Sequence, residues 1–128
     1  MNATRHWSRL RRIAEREVDA LVRRLPGDIR SRLGGVALEI LPAVPRPLVS
    51  GEGVAPDTLG LFSGPSFREA LDSDDWQPPT ISLFLGPLWD YAEGDEAAFR
   101  EEVRTTWLHE LGHYLGLEEG DLAARGLE

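Results

Sequence analysis

The sequence contains no cysteine, no lysine and a single methionine, Met1. The absence of cysteine excludes disulfide bonds, thiolate metal sites and a cysteine nucleophile. No hydrophobic run approaches the roughly 20 apolar residues that cross a bilayer, so we expect no membrane partner. The first residues lead into arginines and not into an apolar signal core, which predicts a cytoplasmic location.

Length and charge indicate one small domain. The 128 residues, 41% of them hydrophobic, are enough for a single domain, residues 1–128, with one modest core. The net charge of −8 is unevenly distributed, because the first 32 residues hold nine arginines against four acids and the remainder holds eighteen acids. The two parts are expected to attract each other. The overall acidity and the lack of interleaved aromatic residues favour a solvated helix face and no nucleic-acid partner.

Apolar spacing and breaker residues divide the chain into helices, strands and loops. Apolar residues at three- and four-residue steps predict a first helix, which Pro26 ends. Alternating or continuous apolar runs bounded by proline and glycine predict strands. The expected elements are a helix at Thr4–Leu25, a turn of helix at Asp28–Leu33, strands at Val36–Leu41, Thr58–Gly64 and Thr80–Leu85, irregular stretches at 42–57 and 65–79, and a last helix that begins near Gly94 with Asp95 as its N-cap.

The last helix carries the clearest functional pattern. His109 and His113 are four residues apart, so on a helix they project from one face, about 40° apart. Two imidazoles in this arrangement can bind one metal ion, and Glu110 lies beside them. This is the H-E-x-x-H spacing, in which the histidines hold zinc and the glutamate takes the proton of an activated water. The alternative is an amphipathic helix whose histidines are solvated.

The residues after this helix offer a third metal ligand. Gly116 is placed to end the helix in the left-handed conformation and to reverse the chain. A reversed chain can bring Glu119, ten residues after His109, to the metal. Asp121 ranks second, and Glu118 and Glu102 also compete for the position, Glu102 because it lies two turns earlier on about the same helix face.

Several segments resemble the minimal zincin-like metallopeptidase family of small bacterial proteins. They are Leu108–Glu119 with Asp121-Leu122, Leu25-Pro26 before Val36–Ile40, Leu59–Gly64, and Pro79–Phe84. The resemblance implies an α+β fold in which an N-terminal helix and a few-stranded mixed sheet accompany a C-terminal metal-bearing helix, with Zn²⁺ held by His109, His113 and Glu119. One departure is Phe62, since the family usually has tyrosine at this position. Two related patterns fit less well: no later helix follows to carry a glutamate ligand, and the metzincin turn requires a methionine beyond the site.

The resulting hypothesis is a zinc metallopeptidase, a hydrolase whose partner is a peptide or protein substrate. Glu110 acts as general base, and Tyr114 or Tyr91 is a candidate to steady the oxyanion. A substrate strand is expected to add to a sheet edge, formed by Leu59–Ser63 or by Ile81–Leu85. The alternatives are a zinc-binding regulatory or peptide-binding module without turnover, and a metal-dependent hydrolase of another bond. The sequence indicates no oligomeric state.

Overall fold

The computed structural model describes residues 3–72 and 77–117. In these ranges the chain forms helices and a three-stranded mixed sheet, which confirms the predicted α+β class. Within the same ranges, no helix is both long enough and apolar enough to cross a membrane. In chain order the elements are α1 (Ala3–Arg24), α2 (Gly27–Arg30), β1 (Ala37–Leu41), α3 (Arg46–Gly51), β2 (Gly60–Ser63), α4 (Phe67–Asp72), β3 (Thr80–Phe84), α5 (Leu85–Tyr91) and α6 (Glu96–Leu115).

Helix α1 forms because its apolar residues recur every three or four positions and create one stripe that its neighbours can bury. Leu10 and Ala14 are fully buried and Val18 is nearly so. Pro26 follows the helix, and it lacks the backbone N–H that a further turn would need. The helix predicted for this part of the chain is therefore confirmed.

Strand β3 lies at the centre of the sheet. It pairs in parallel with β1 on one side and antiparallel with β2 on the other. Its residues Ile81 and Leu83 are fully buried, as expected for a strand with neighbours on both sides. Of the two stretches considered for an edge, Leu59–Ser63 contains an edge strand, whereas the interpretation of Ile81–Leu85 as an edge is wrong.

One face of the sheet is covered by helices α1 and α6. The register places Ile40 of β1 opposite Leu83 of β3, and Leu83 opposite Gly60 of β2. Directly opposite residues point to the same face, so these three positions form a row that faces the helices. An added Cβ at Gly60 would lie 2.6 Å from Cγ2 of Thr106 in α6. The backbone of β2 therefore lies directly against the last helix.

Helix α6 has defined signals at both ends. The side chain of Asp95 accepts a hydrogen bond from the backbone N–H of Ala98 at 3.0 Å, which confirms the predicted N-cap. Gly116 ends the helix in the left-handed conformation, with φ 72°. Between these ends nine residues of the helix are buried, namely Phe99, Val103, Thr106, Trp107, Leu108, Glu110, Leu111, Gly112 and Tyr114.

Ion pairs fasten α1 to α6. Glu17 of α1 accepts hydrogen bonds from Arg100 at 3.1 Å and from Arg104 at 2.8 Å. Partial burial raises the pKa of Glu17, but the bonds from Arg104 and Arg100 outweigh it, so this pKa lies below its ordinary value. Arg9 of α1 pairs with Glu96 of α6. Of these pairs, the one between Arg9 and Glu96 joins an arginine of the N-terminal part to an acid of the remainder, as expected. In the two pairs of Glu17 the acid belongs to the N-terminal part and the arginine to the remainder.

Three short helices lie in stretches where the sequence predicted none. Helix α3 begins after Pro45 and carries Pro47 in its first turn, where proline is tolerated because no intrahelical N–H bond is lost. Helix α4 begins with a capping box, since Ser66 and Glu69 exchange backbone and side-chain hydrogen bonds of 3.1 and 3.3 Å. Helix α5 starts directly where β3 ends and contains Pro87. Pro45 and Pro47, which predicted a loop, in fact lie at the start of a helix.

We expect Gly60→Ala to destabilise the protein by about 1 to 3 kcal/mol. The added methyl group would clash with Thr106, whose β-branched side chain is rotationally restricted in a helix. Urea unfolding followed by tryptophan fluorescence measures the change. Gly35→Ala is the matched control, because no atom lies within 4 Å of an added Cβ there. Equal stability of the two variants would show that β2 and α6 are not in tight contact.

Candidate metal centre

The two histidines of α6 lie side by side, as their spacing predicts. The ring centroids of His109 and His113 are 4.7 Å apart, with an angle of 70° between the ring planes. Both residues are exposed at the surface of the helix. An uninterrupted helical backbone from Asp95 to Gly116 is what holds the two imidazoles one turn apart.

Glu110 lies beside the histidines but points into the protein. Its side chain is only 7% exposed, and its Oε1 lies 3.2 Å from Nδ1 of His113. Its other oxygen, Oε2, is buried without a hydrogen-bond partner among the described residues. A buried carboxylate oxygen without a partner is energetically costly, so this atom is a candidate for a functional role.

The three side chains converge. Ligand atoms of His109, Glu110 and His113 all lie within 4.8 Å of one another. Imidazole nitrogens and a carboxylate are donors that zinc accepts, and in the described part of the chain Oε2 of Glu110 is a buried polar atom with no other partner. The residues present therefore fit a zinc ion.

The chain turns back immediately after His113. The N–H of Leu117 bonds to the carbonyl of Gly112 at 2.8 Å, and the N–H of Gly116 bonds to the carbonyl of His113 at 3.2 Å. These two bonds, with Gly116 in the left-handed conformation, form a Schellman motif. The predicted helix end is confirmed at Gly116, and the path that the reversed chain was predicted to take after Leu117 lies outside the described residues.

The candidates for a third ligand are placed differently. Glu119, Glu118 and Asp121 lie outside the described residues. Glu102 is within α6 and half-buried, and its pKa is raised by burial and by the charge of Glu101. It does not belong to the cluster of ligand atoms that the described residues form around His109.

Both tyrosines considered for the oxyanion lie within the described residues. The hydroxyl of Tyr114 donates a hydrogen bond to the backbone carbonyl of Arg32 at 2.8 Å, and burial raises the pKa of this tyrosine. The side chain of Tyr91 is 63% exposed and borders a cleft that Ala98 also lines. Ala98 precedes His109 by eleven residues, which is about 16 Å along a helix. The sequence could not show that the hydroxyl of Tyr114 is occupied, because its partner is 82 positions away.

Phe62, the position at which the sequence departs from the resembling family, packs beside Tyr114. The ring centroids of Phe62 in β2 and Tyr114 in α6 are 6.0 Å apart. Phe62 therefore joins the sheet edge to the last turn of the metal-site helix through apolar contact.

The two edges of the sheet differ in how far they are open. Because Ala37 donates to the carbonyl of Pro79 at 2.8 Å, the alternation of a parallel ladder turns the backbone groups of Leu38 and Ile40 outward. The carbonyl of Ile40 is already occupied, since the guanidinium of Arg11 donates to it at 2.7 Å. The outer edge of β1 is therefore partly capped by α1.

The edge of β2 lies beside α6. The N–H of Phe84 donates to the carbonyl of Leu59 at 3.0 Å, so the same alternation turns the backbone groups of Gly60 and Phe62 away from the sheet. Within the described residues no strand pairs with this side of β2. Gly60 and Phe62 adjoin Thr106 and Tyr114, the residues of α6 that flank the cluster.

Comparison with protein families gives a match for most of the chain. The profile of a family described as zincin-like metallopeptidase matches residues 40–127. The matched range includes all of β2, β3 and α6, and it excludes α1 and α2. No curated protein matches the chain.

We expect Glu110→Gln to raise the free energy of unfolding of the metal-free protein by about 1 kcal/mol, because an amide of the same shape costs less to bury than a partly unpaired carboxylate. Urea unfolding in the presence of a chelator measures the change. Glu101→Gln, an exposed position on the same helix, is the control and should change stability little. A Glu110→Gln protein less stable than the wild type would show that burial of the Glu110 carboxylate does not destabilise the folded protein.

Proposed function

The chain belongs to the zincin-like metallopeptidase family, and we propose that it is a zinc-dependent peptidase that hydrolyses peptide or protein substrates. The observation that carries the proposal is the buried Oε2 of Glu110, which has no hydrogen-bond partner within residues 3–72 and 77–117, beside two exposed histidines on one helix face. A purely structural helix gains nothing from a buried carboxylate oxygen without a partner, whereas a general base requires an oxygen that is available for a proton.

His109 and His113 are the proposed zinc ligands, with Glu119 as the third. The Schellman motif at Gly116 supports this choice, because a left-handed helix cap is a point at which a chain can reverse its direction. Three protein ligands leave a tetrahedral zinc ion with one open position, which is typical of catalytic sites. Asp121 and Glu118 are the alternatives to Glu119.

Glu110 is the proposed general base. When bound, zinc lowers the pKa of a coordinated water to about 7 and polarises the carbonyl that is attacked. Oε2 of Glu110 accepts the proton of the attacking water, and the carboxylic acid so formed donates it to the leaving amine. Its burial favours this second step, because a site shielded from water keeps the proton within the protein.

The substrate is proposed to bind as an extended strand along β2. The outward N–H and C=O groups of Gly60 and Phe62 can form a ladder with it. This edge is favoured over that of β1 because β2 lies against the part of α6 that carries the histidines, and because Arg11 occupies the carbonyl of Ile40.

We expect protein purified without added metal to contain about one zinc ion per chain, the amount that a single three-ligand site binds. Glu119→Ala should lose or weaken the zinc and His113→Ala should lose it, because each removes a ligand. Elemental analysis with zinc titration measures this. Asp121→Ala is the matched control and should keep its zinc. Failure of the wild type to bind zinc, even when zinc is added, would contradict the proposed metal site.

We expect Glu110→Gln to keep its zinc and to lose peptidase turnover by about 100-fold or more, since an amide cannot take the proton. A peptide library incubated with each protein and analysed by mass spectrometry measures cleavage. Glu101→Gln should remain as active as the wild type. An active Glu110→Gln protein would rule out this base, and a wild type that binds zinc without cleaving any peptide would identify a zinc-binding module instead of an enzyme.

A further inference from the structure

Tyr114 links the end of the metal-site helix to a distant part of the chain. It occupies the last turn of α6, directly after His113, and is only 3% exposed. Its hydroxyl donates a hydrogen bond of 2.8 Å to the carbonyl of Arg32, which lies 82 positions earlier, just after α2. The side chain therefore crosses from the site helix to the segment between α2 and β1.

The ring of Tyr114 also has contacts, because it packs between two phenylalanines. Phe62 of β2 and Phe67 of α4 each lie with their ring centroids 6.0 Å from it, at interplanar angles of 58° and 74°. The guanidinium of Arg32 lies 5.4 Å from the ring centroid of Phe67. Arg32 thus contacts the tyrosine through its backbone and the neighbouring phenylalanine through its side chain. Ring and hydroxyl together oppose rotation of the last turn about the helix axis.

This fixed turn carries His113, one of the proposed ligands. His113 precedes Tyr114, and the carbonyl of His113 accepts one of the two bonds that close the Schellman motif. The positions of His113 and of the helix end at Leu117 therefore follow from the position of the same turn. Metal sites tolerate little error in ligand placement, of the order of 0.5 Å, so a small movement of this turn would weaken metal binding.

We propose that Tyr114 is a positioning residue for the metal site, whose hydrogen bond to the carbonyl of Arg32 holds the last turn of α6 in the place that metal binding needs. The inference rests on the proposed zinc site. Arg32 lies outside residues 40–127, the range that matches the family. The support for the site thus comes from a part of the chain that the family match does not cover.

The inference is tested by the zinc affinity of Tyr114→Phe, which keeps the ring and removes only the hydroxyl. We expect zinc to bind about tenfold more weakly, the lower end of what loss of a supporting hydrogen bond costs a metal site. Competition with a chromophoric chelator, far below the unfolding temperature, measures the affinity. The visible spectrum of the Co²⁺-loaded protein reports ligand geometry, and its band intensity should change in this variant.

Two control variants separate positioning from other effects. Tyr91→Phe makes the same chemical change at an exposed tyrosine and should bind zinc as the wild type does. Glu17→Gln weakens the contact between α1 and α6 far from the last turn, so it should lower thermal stability without weakening zinc binding. Loss of affinity in Tyr114→Phe alone supports the inference.

The remaining outcomes contradict the inference in distinguishable ways. Wild-type affinity and spectrum in Tyr114→Phe would overturn the positioning role while leaving the zinc site intact. An equal loss in Glu17→Gln would attribute the effect to general destabilisation and would also overturn it. A wild type that binds neither zinc nor Co²⁺ would refute the proposed function itself.

Discussion

The close contact between Gly60 and Thr106 is the constraint on which the rest of the structure depends. Because the strand has no side chain at this point, its backbone can approach α6 to within van der Waals distance. The contact fixes the rotation of the helix: Thr106 and Glu110 are turned inward, and His109 and His113 remain at the exposed border. One helix can therefore contribute to the core and carry a polar site, because the sheet covers only part of its circumference.

Long-range polar contacts then secure the helix along its length. At its first turns Arg100 and Arg104 bind Glu17 of α1, and at its last turn Tyr114 binds the carbonyl of Arg32. Both contacts join α6 to residues that precede β1 in the sequence. The N-terminal part of the chain thus supports the site although it contributes no residue to the cluster that the described residues form.

The elements that depend on patterns among adjacent residues were predicted from the sequence. The apolar stripe of α1, the apolar run of β3, the N-cap Asp95 and the left-handed Gly116 each depend on a few adjacent residues, and all were predicted correctly. The capping box of Ser66 and Glu69 was also present in the sequence, but it lies in a stretch that reads as irregular. The pairing of His109 with His113 followed from helical geometry alone.

The features that could not be predicted depend on distant contacts. Nothing near β3 in the sequence indicates that it lies between β1 and β2, because strand order is set by how the chain returns. The partner of the Tyr114 hydroxyl is a backbone carbonyl, which leaves no mark in a sequence. The hydrogen bond from Arg11 to the carbonyl of Ile40 obstructs the outer edge of β1. A sheet with two open edges can add copy after copy into an endless stack, whereas one with an obstructed edge stops after a single addition. The occupied carbonyl of Ile40 thereby limits the stacking of copies through the outer edge of β1.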